Sequence, residues 1–225
     1  MEHQPEPLEW RDGDVPVSRR FDDPYFSLDN GLAETRHVFL AGNGLPDRFC
    51  DGFHIAELGF GTGLNLLAAL KLWRDSRQSG VLRFTSFEAF PMQADDMIRA
   101  QQAFPELRAC ADELRAFWTG NARNIHLPDL HFTLVEGDAR ETLDRLETPV
   151  DAWFLDGFSP AKNPELWDPD LLQKVGAHTA PGGTAATYTA AGHVRRALDA
   201  AGLTTRRIKG FGRKRHMTVA QKAPE

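Results

Sequence analysis

The stretch FHIAELGFGTGLNLLAALKLWRD, residues 53–75, limits the possible folds more than any other part of the chain. A short apolar run ends in glycines at alternate positions, Gly59, Gly61 and Gly63, and then passes directly into apolar residues at helical spacing. Strand, glycine turn and helix in that order form the opening unit of a parallel α/β sheet. The pattern then repeats. "LRFTSFEAF" alternates as a strand does, and residues 92–118 carry apolar positions for one broken helix or two successive ones, with Pro105 opening the second. "LHFTLVEGD" reads as a third strand with a helix over 139–146 behind it, and "VDAWFLD" as a fourth. A helix is expected over 164–179 with Pro164 in its first turn, and "GGTAATYT" makes a fifth strand after the breaker "PGG". "AGHVRRALDAAG" is a helix closed by Gly202. "LTTRRIKGF" and "HMTVAQ" leave no room for a helix between them and should pair antiparallel. The expectation is a doubly wound, Rossmann-like α/β sheet of seven strands over residues 53–225, with its last strand antiparallel. Residues 1–52 precede it as an N-terminal arm on the ligand side; 21–52 are dense in Gly, Asn, Asp and aromatics, which suits short ordered elements.

Composition removes several classes of function. The 225 residues are 41% hydrophobic and 26% charged, which suits a globular domain rather than a disordered or membrane-spanning chain. The opening "MEHQPEPLEW" lacks the apolar core of a secretory signal, and the two cysteines, Cys50 and Cys110, form no CxxC or Cys/His cluster. A cytoplasmic protein with reduced thiols and no metal is expected. The net charge of −6 opposes a chain coated in positive charge but leaves room for a local basic patch.

The glycine turn does not fit the dinucleotide fingerprint GxGxxG, which would need glycine where Leu64 stands. A nicotinamide dehydrogenase is therefore disfavoured. "ELGFGTG" instead resembles E/D-x-G-x-G-x-G, the S-adenosylmethionine loop of class I methyltransferases. That resemblance implies Glu57 as partner of the cofactor's cationic amino end, with Gly59, Gly61, Gly63 and Asn65 around it. At the next strand end, Glu88 stands where a carboxylate can accept from both ribose hydroxyls. Asp138, at the end of the third strand, stands where such enzymes hold the adenine amino group, or else it caps the helix that follows. The fourth strand ends in "DGFS", a loose relative of the D/N-P-P-Y/F motif of enzymes that methylate amino groups of bases. Asp156 could there hydrogen-bond an amine nucleophile and stabilise the charge that develops on nitrogen. Phe158 could stack on a flipped base. The alternative is a capping aspartate beside a core phenylalanine.

Taken together, "FDDPYFSLDNGLAETRHVFLAGNGLP", "ELGFGTGLN", "SFEAFP", "FLDGFSPAKNPELW" and "GFGRKRHM" resemble the methyltransferase domain of MnmC, also found alone as MnmD, over about residues 8–220. The resemblance implies methylation of the primary amine of 5-aminomethyl-2-thiouridine, giving 5-methylaminomethyl-2-thiouridine at the tRNA wobble position. S-adenosyl-L-methionine is then the methyl donor, and tRNA the partner. An FAD-dependent oxidase, as a further domain or a separate protein, would supply the amine. No second dinucleotide motif occurs in these 225 residues, so a stand-alone enzyme or an excised domain is expected. The resemblance also implies that Tyr25, Phe26, Asn30, Glu34 and Asn43 of the arm help close the cofactor pocket. "SPAKNPELW", with Lys162, would wall the substrate. The basic run from Arg195 to Arg215 lies on the last helix and closing hairpin, and its Arg213, Lys214 and Arg215 are expected on RNA phosphates. Where the family motif reads GRKRE, this chain has His216. Two other readings stay open: a methyltransferase for another amine, and a non-catalytic cofactor-binding module that docks tRNA.

Overall fold

The computed structural model describes residues 8–11, 14–27 and 30–224. The stretch 1–7, read above as lacking a signal's apolar core, lies outside the described residues. The chain enters through a small antiparallel sheet of β1 (Leu8–Arg11), β2 (Val15–Ser18) and the two-residue β3 (Asp23–Pro24). Val15 and Val17 are buried, so this entry segment packs rather than trailing over the surface. A short helix, α1 (Gly31–Thr35), follows; the Asn30 side chain caps it by accepting from the Ala33 N–H at 2.9 Å. The helix continues as a π-helical turn, Arg36–Leu40, and a 3-10 turn, Ala41–Asn43, and stops at Gly44, whose φ is 67°.

The main sheet follows the expected alternation. Its strands are β4 (His54–Leu58), β5 (Leu82–Glu88), β6 (Asn124–Leu127), β7 (Leu130–Glu136), β8 (Val150–Leu155), β9 (Thr179–Thr187), β10 (Leu203–Lys209) and β11 (His216–Lys222). Their order across the sheet is β10-β11-β9-β8-β4-β5-β7-β6. β4, β5, β7, β8 and β9 run parallel, and β11 runs antiparallel to both β9 and β10. β4 is buried at all five positions, as a central parallel strand covered on both faces must be. The sheet has eight strands, not seven. The eighth, β6, folds back antiparallel on β7 at the sheet edge, and its four residues carry too short an alternation to be distinguished from a loop.

Two other boundaries differ from the sequence reading. β9 begins at Thr179, so Pro181, Gly182 and Gly183 lie within the strand. The register between β8 and β9 shifts there, between Val150 and Ala152, and such an irregularity tolerates proline. The expected helix over 164–179 is a 3-10 turn, Pro164–Trp167, followed by a separate helix, because Asp168 leaves helical geometry to cap the next N-terminus through Asp170 N–H.

The helices are α2 (Leu64–Asp75), α3 (Ala94–Gln101), α4 (Arg108–Thr119), α5 (Ala139–Thr142), α6 (Pro169–His178) and α7 (Gly192–Ala200). The first three cover one face of the sheet around Phe84, Phe132 and Phe154, and the last three cover the other around Trp153, Leu155 and Ala185. The arm completes the first face. Leu32, Val38, Phe39 and Leu40 join that core, Phe39 packs tilted against Phe154 with ring centroids 5.5 Å apart, and Gly42 sits where a Cβ would meet the Ala186 Cβ at 2.9 Å. Asn43 is 1% exposed and pins the arm to the sheet. Its Nδ2 donates to the carbonyls of Phe39 (2.9 Å) and Trp153 (3.3 Å), and its Oδ1 accepts from the Thr184 hydroxyl at 2.6 Å. Chain order reverses at β4: the path runs outward through β5 and β7, then returns to β8 on the other side. That places a switch point at the carboxyl ends of β4 and β8.

Candidate active site

A cavity of about 940 Å³ opens at that switch point. Its floor is the row of strand ends. The loop after β4 requires glycine: Gly59, Gly61 and Gly63 have φ of 91°, 52° and 73°. At Gly59 the reason is close approach, since a Cβ would lie 2.1 Å from the carbonyl oxygen of Asp156. Gly61 faces the Tyr25 ring, and Gly63 stands at the N-terminus of α2. Glu88, at the end of β5, accepts from the Gly61 N–H on one oxygen (3.1 Å) and from the Phe90 N–H on the other (2.9 Å), so its carboxylate is fixed at the rim.

Asp138 lines the cavity and also caps α5, accepting from the Arg140 N–H at 2.9 Å. The Arg140 guanidinium bonds it as well and holds its carboxyl below the usual carboxylate range. The capping reading of Asp138 is the one the hydrogen bonds show, on a side chain that also lines the cavity.

Asp156 follows β8 and faces the cavity. Burial pushes its pKa up to about 7, against the hydrogen bond that it accepts from Asn65 Nδ2 at 2.6 Å. Glu57 lies deeper, 1% exposed, and is not among the cavity-lining residues. It accepts from Asn65 Nδ2 at 2.8 Å and from the Ser86 hydroxyl at 2.6 Å, and burial pushes its pKa well above the usual carboxylate range. Glu57, expected as a partner of the cofactor's amino end directly or through water, thus bonds Asn65, which itself lines the cavity.

The loop 157–167 forms a wall. Trp167 Nε1 donates to the Phe158 carbonyl at 2.8 Å, and the Tyr188 hydroxyl donates to the Gly157 carbonyl at 2.7 Å. Phe158 lines the cavity, but Phe21 stacks on it at 4.8 Å between centroids and Tyr25 meets it edge-on at 5.1 Å. One face of Phe158 is thus occupied by the chain itself, which leaves less of the ring for a base than expected.

The roof comes from the arm and the β10–β11 turn. Phe26 and Glu34 line the cavity; Asn30 and Asn43 do not, one capping α1 and the other bonding the sheet. Lys214 Nζ pairs with Glu34 Oε1 at 2.7 Å and lies 4.1 Å from the Tyr188 ring centroid. Lys162 bonds the Asp22 carbonyl and pairs with the Asp22 and Asp23 carboxylates at 3.3 and 3.8 Å. Lys214, expected on RNA phosphates, and Lys162, expected in the substrate wall, are therefore engaged by arm carboxylates. Arg213 lines the cavity mouth, while Arg215 in the turn and His216 at the start of β11 are exposed outside it. Thr35, Tyr188 and Phe21 were missed in the sequence. Tyr188 had a usable signal, since it follows a strand end just as Asp138 and Asp156 do; nothing local marked the other two. Among the described residues no group of three His, Cys, Asp or Glu is placed to hold a metal, and no helix is long and apolar enough to cross a membrane.

Comparison with known proteins gives this geometry a family. A profile described as S-adenosyl-L-methionine-dependent methyltransferase matches residues 105–223. Two curated relatives are each a tRNA 5-methylaminomethyl-2-thiouridine biosynthesis bifunctional protein MnmC, from Caulobacter vibrioides and Caulobacter sp. strain K31. Both are 48% identical, over 96% and 95% of this chain, and the chain spans 38% of the length of each. Among solved structures, MnmC2 from Aquifex aeolicus matches with a TM-score of 0.77 at 26% identity, covering 100% of this chain and 73% of that one. A precorrin-6y C5,15-methyltransferase from Geobacter metallireducens, at 0.51 and 17%, covering 94% and 95%, shares the fold alone. The glycine loop, the oriented acidic strand ends and these matches agree: the chain belongs to the S-adenosyl-L-methionine-dependent methyltransferase family, with bifunctional MnmC proteins among its relatives.

Proposed function

We propose that the chain methylates the primary amine of 5-aminomethyl-2-thiouridine at the tRNA wobble position, giving 5-methylaminomethyl-2-thiouridine. The observation that carries this reading is Asp156, a carboxylate facing a 940 Å³ cavity with its pKa raised to about 7. The reading is supported by the names of the Caulobacter relatives and by the resemblance of the DGFSPAKNPELW and GNGLP blocks.

The cavity's residues fit the family cofactor. The positive-φ glycines let the loop after β4 turn tightly against Asp156 and Tyr25 at the cavity floor, and Glu88 has a carboxylate already oriented for a diol. Glu88, Asp138, Tyr25 and the Gly59–Gly63 loop would hold it. S-adenosyl-L-methionine, when bound, supplies a methyl group activated by its sulfonium.

The chain's part is to position the nucleophile and manage its proton. An amine attacks only when unprotonated. Asp156, titrating near neutrality, can accept an amine N–H, turn the lone pair toward the cofactor side and take up the proton that nitrogen sheds. Among the described residues no donor meets the Oδ1 of Asp156, so that oxygen is available to the substrate, while Asn65 holds Oδ2. The Phe21, Phe158 and Tyr25 rings give the base an apolar wall, acting as a set. Arg213 at the mouth, with Arg215 outside it, would meet phosphates of the anticodon loop.

The test is to incubate the protein with S-adenosyl-L-methionine and tRNA bearing 5-aminomethyl-2-thiouridine, then to weigh the wobble nucleoside. Gain of one methyl on that nucleoside, and none on bulk tRNA lacking it, is expected. Methylation of small amines or protein instead would overturn the substrate assignment.

A further inference from the structure

We infer that Asn65 is a positioning residue for Asp156, an inference that rests on the reading of Asp156 above. Asn65 is the second residue of α2, 4% exposed, and three other elements bond its amide. Nδ2 donates to Glu57 at 2.8 Å and to Asp156 at 2.6 Å, and Oδ1 accepts from the Thr35 hydroxyl at 2.9 Å. An amide carries two N–H groups, and here each meets a different carboxylate. The reverse orientation would turn the carbonyl oxygen toward both carboxylates, so the two acids and Thr35 together fix the amide.

The arrangement gives two neighbouring acids different tasks. Glu57 and Asp156 belong to the adjacent strand ends of β4 and β8, and two anions so close out of water cannot both ionise cheaply. Glu57 is the deeper, closed off behind Asn65 and bonded by Ser86, and is the better placed to keep a proton. Asp156 faces the cavity. Glu34 from α1, Lys214 from the β10–β11 turn and Tyr188 beyond β9 also face it. Glu34 and Lys214 act on it in opposite directions, and they are paired with each other. Asn65 is the one group among these bonded directly to the Asp156 carboxylate, and an N–H donated to a carboxylate favours its ionised form. Both N–H groups of Asn65 are taken within the chain. A ligand could reach the Asn65 amide only through Oδ1, which already accepts from the Thr35 hydroxyl.

The test is a carbon-13 carboxyl titration of the full chain by NMR, with Asp156→Asn identifying the resonance, beside the pH dependence of kcat/KM on the aminomethyl tRNA. In Asn65→Leu the Asp156 midpoint should rise by about one pH unit, and the acid limb of kcat/KM should move with it, a roughly tenfold deficit at the acid end that fades toward alkaline pH. Cofactor affinity by calorimetry should change by less than about threefold. Asn65→Ala, which offers neither carboxylate a donor, should show the same shift and carries the test if the leucine variant does not fold. An unmoved midpoint overturns the inference. So does a collapse of cofactor affinity with an unchanged pH profile, which would make Asn65 a cofactor contact. A midpoint that moves while the rate limb stays supports Asn65's hold on Asp156 and overturns the catalytic reading of Asp156 instead, so the two failures are distinguishable.

Discussion

The floor and the roof of the cavity are held by different forces. The floor is made of strand ends, where Leu58, Phe87 and Leu155 are each 1% exposed and backbone bonds run from Gly59 N to Phe87 O (2.9 Å), Gly137 N to Glu88 O (2.9 Å) and Asp156 N to Leu58 O (3.1 Å). A floor residue cannot move without breaking the parallel ladder. The arm that carries the roof is packed into the core, but its ties to the β10–β11 turn and to the loop 157–167 include ion pairs whose lysines are 45% and 38% exposed, Lys214 with Glu34 and Lys162 with Asp22 and Asp23. Exposed pairs contribute about 0–1 kcal/mol each, so these ties yield more easily than the floor's ladder. On the proposed function, a cavity that admits a base on an RNA needs one side of each kind.

Changes to the floor should have the largest effects. Asp156→Ala should lower kcat by roughly 10²–10⁴-fold with cofactor binding retained. Unchanged turnover would remove Asp156 from the chemistry. Gly59→Ala comes next. Its Cβ would lie 2.1 Å from the Asp156 carbonyl oxygen at a φ of 91°. The strain is on the order of 1–3 kcal/mol. Melting should fall by roughly 2–12 °C. Cofactor titration should weaken by about tenfold, and a variant that melts and binds like the wild type would refute the close approach.

The floor should also show itself in pH dependence. Asp156 titrates at about 7 in the folded chain, raised by burial from an unfolded value near 4. Between those values the folded chain binds the proton more tightly than the unfolded one. Stability from this group is therefore complete below the unfolded value and is lost as pH rises through about 7. Asp156→Asn cannot ionise, so its melting temperature should gain on the wild type between about pH 5 and pH 8. A constant gap over that range would show that Asp156 ionises without a burial cost.

Floor and roof also differ in how much of each could be read from sequence. Strand-end carboxylates at Glu57, Glu88, Asp138 and Asp156 stood out because a period of two, a glycine turn and a helix pattern mark where each strand stops. What the pattern could not supply was depth. Glu57 and Asp156 look alike in sequence, yet one is sealed behind Asn65 and the other faces the cavity, a difference made by α2 and α1 packing from elsewhere in the chain. The roof left weaker traces. Lys162 and Asp22 are 140 residues apart, and Lys214 and Glu34 are 180 apart, so no local spacing encodes either pair. The eighth strand was illegible for a different reason: Asn124–Leu127 has only four residues, and its partner strand alone decides its conformation.

The roof variants test whether it acts in recognition. Replacing Arg213, Lys214 and Arg215 together with alanine should reduce the slope of log affinity for tRNA against log salt by about 2, since each phosphate contact contributes roughly 0.7–0.9. An unchanged slope would place the RNA elsewhere. Glu34→Gln is the finer probe and should have the smallest effect. In the free chain Glu34 holds Lys214 at 2.7 Å, so a phosphate must compete with a carboxylate for that ammonium. Removing the carboxylate's charge should tighten tRNA binding by about threefold, since the ammonium loses the partner that competes with phosphate. Weaker binding would reverse the assignment, because it would mean that Glu34 meets the substrate itself and belongs with Asp156 in the floor's chemistry.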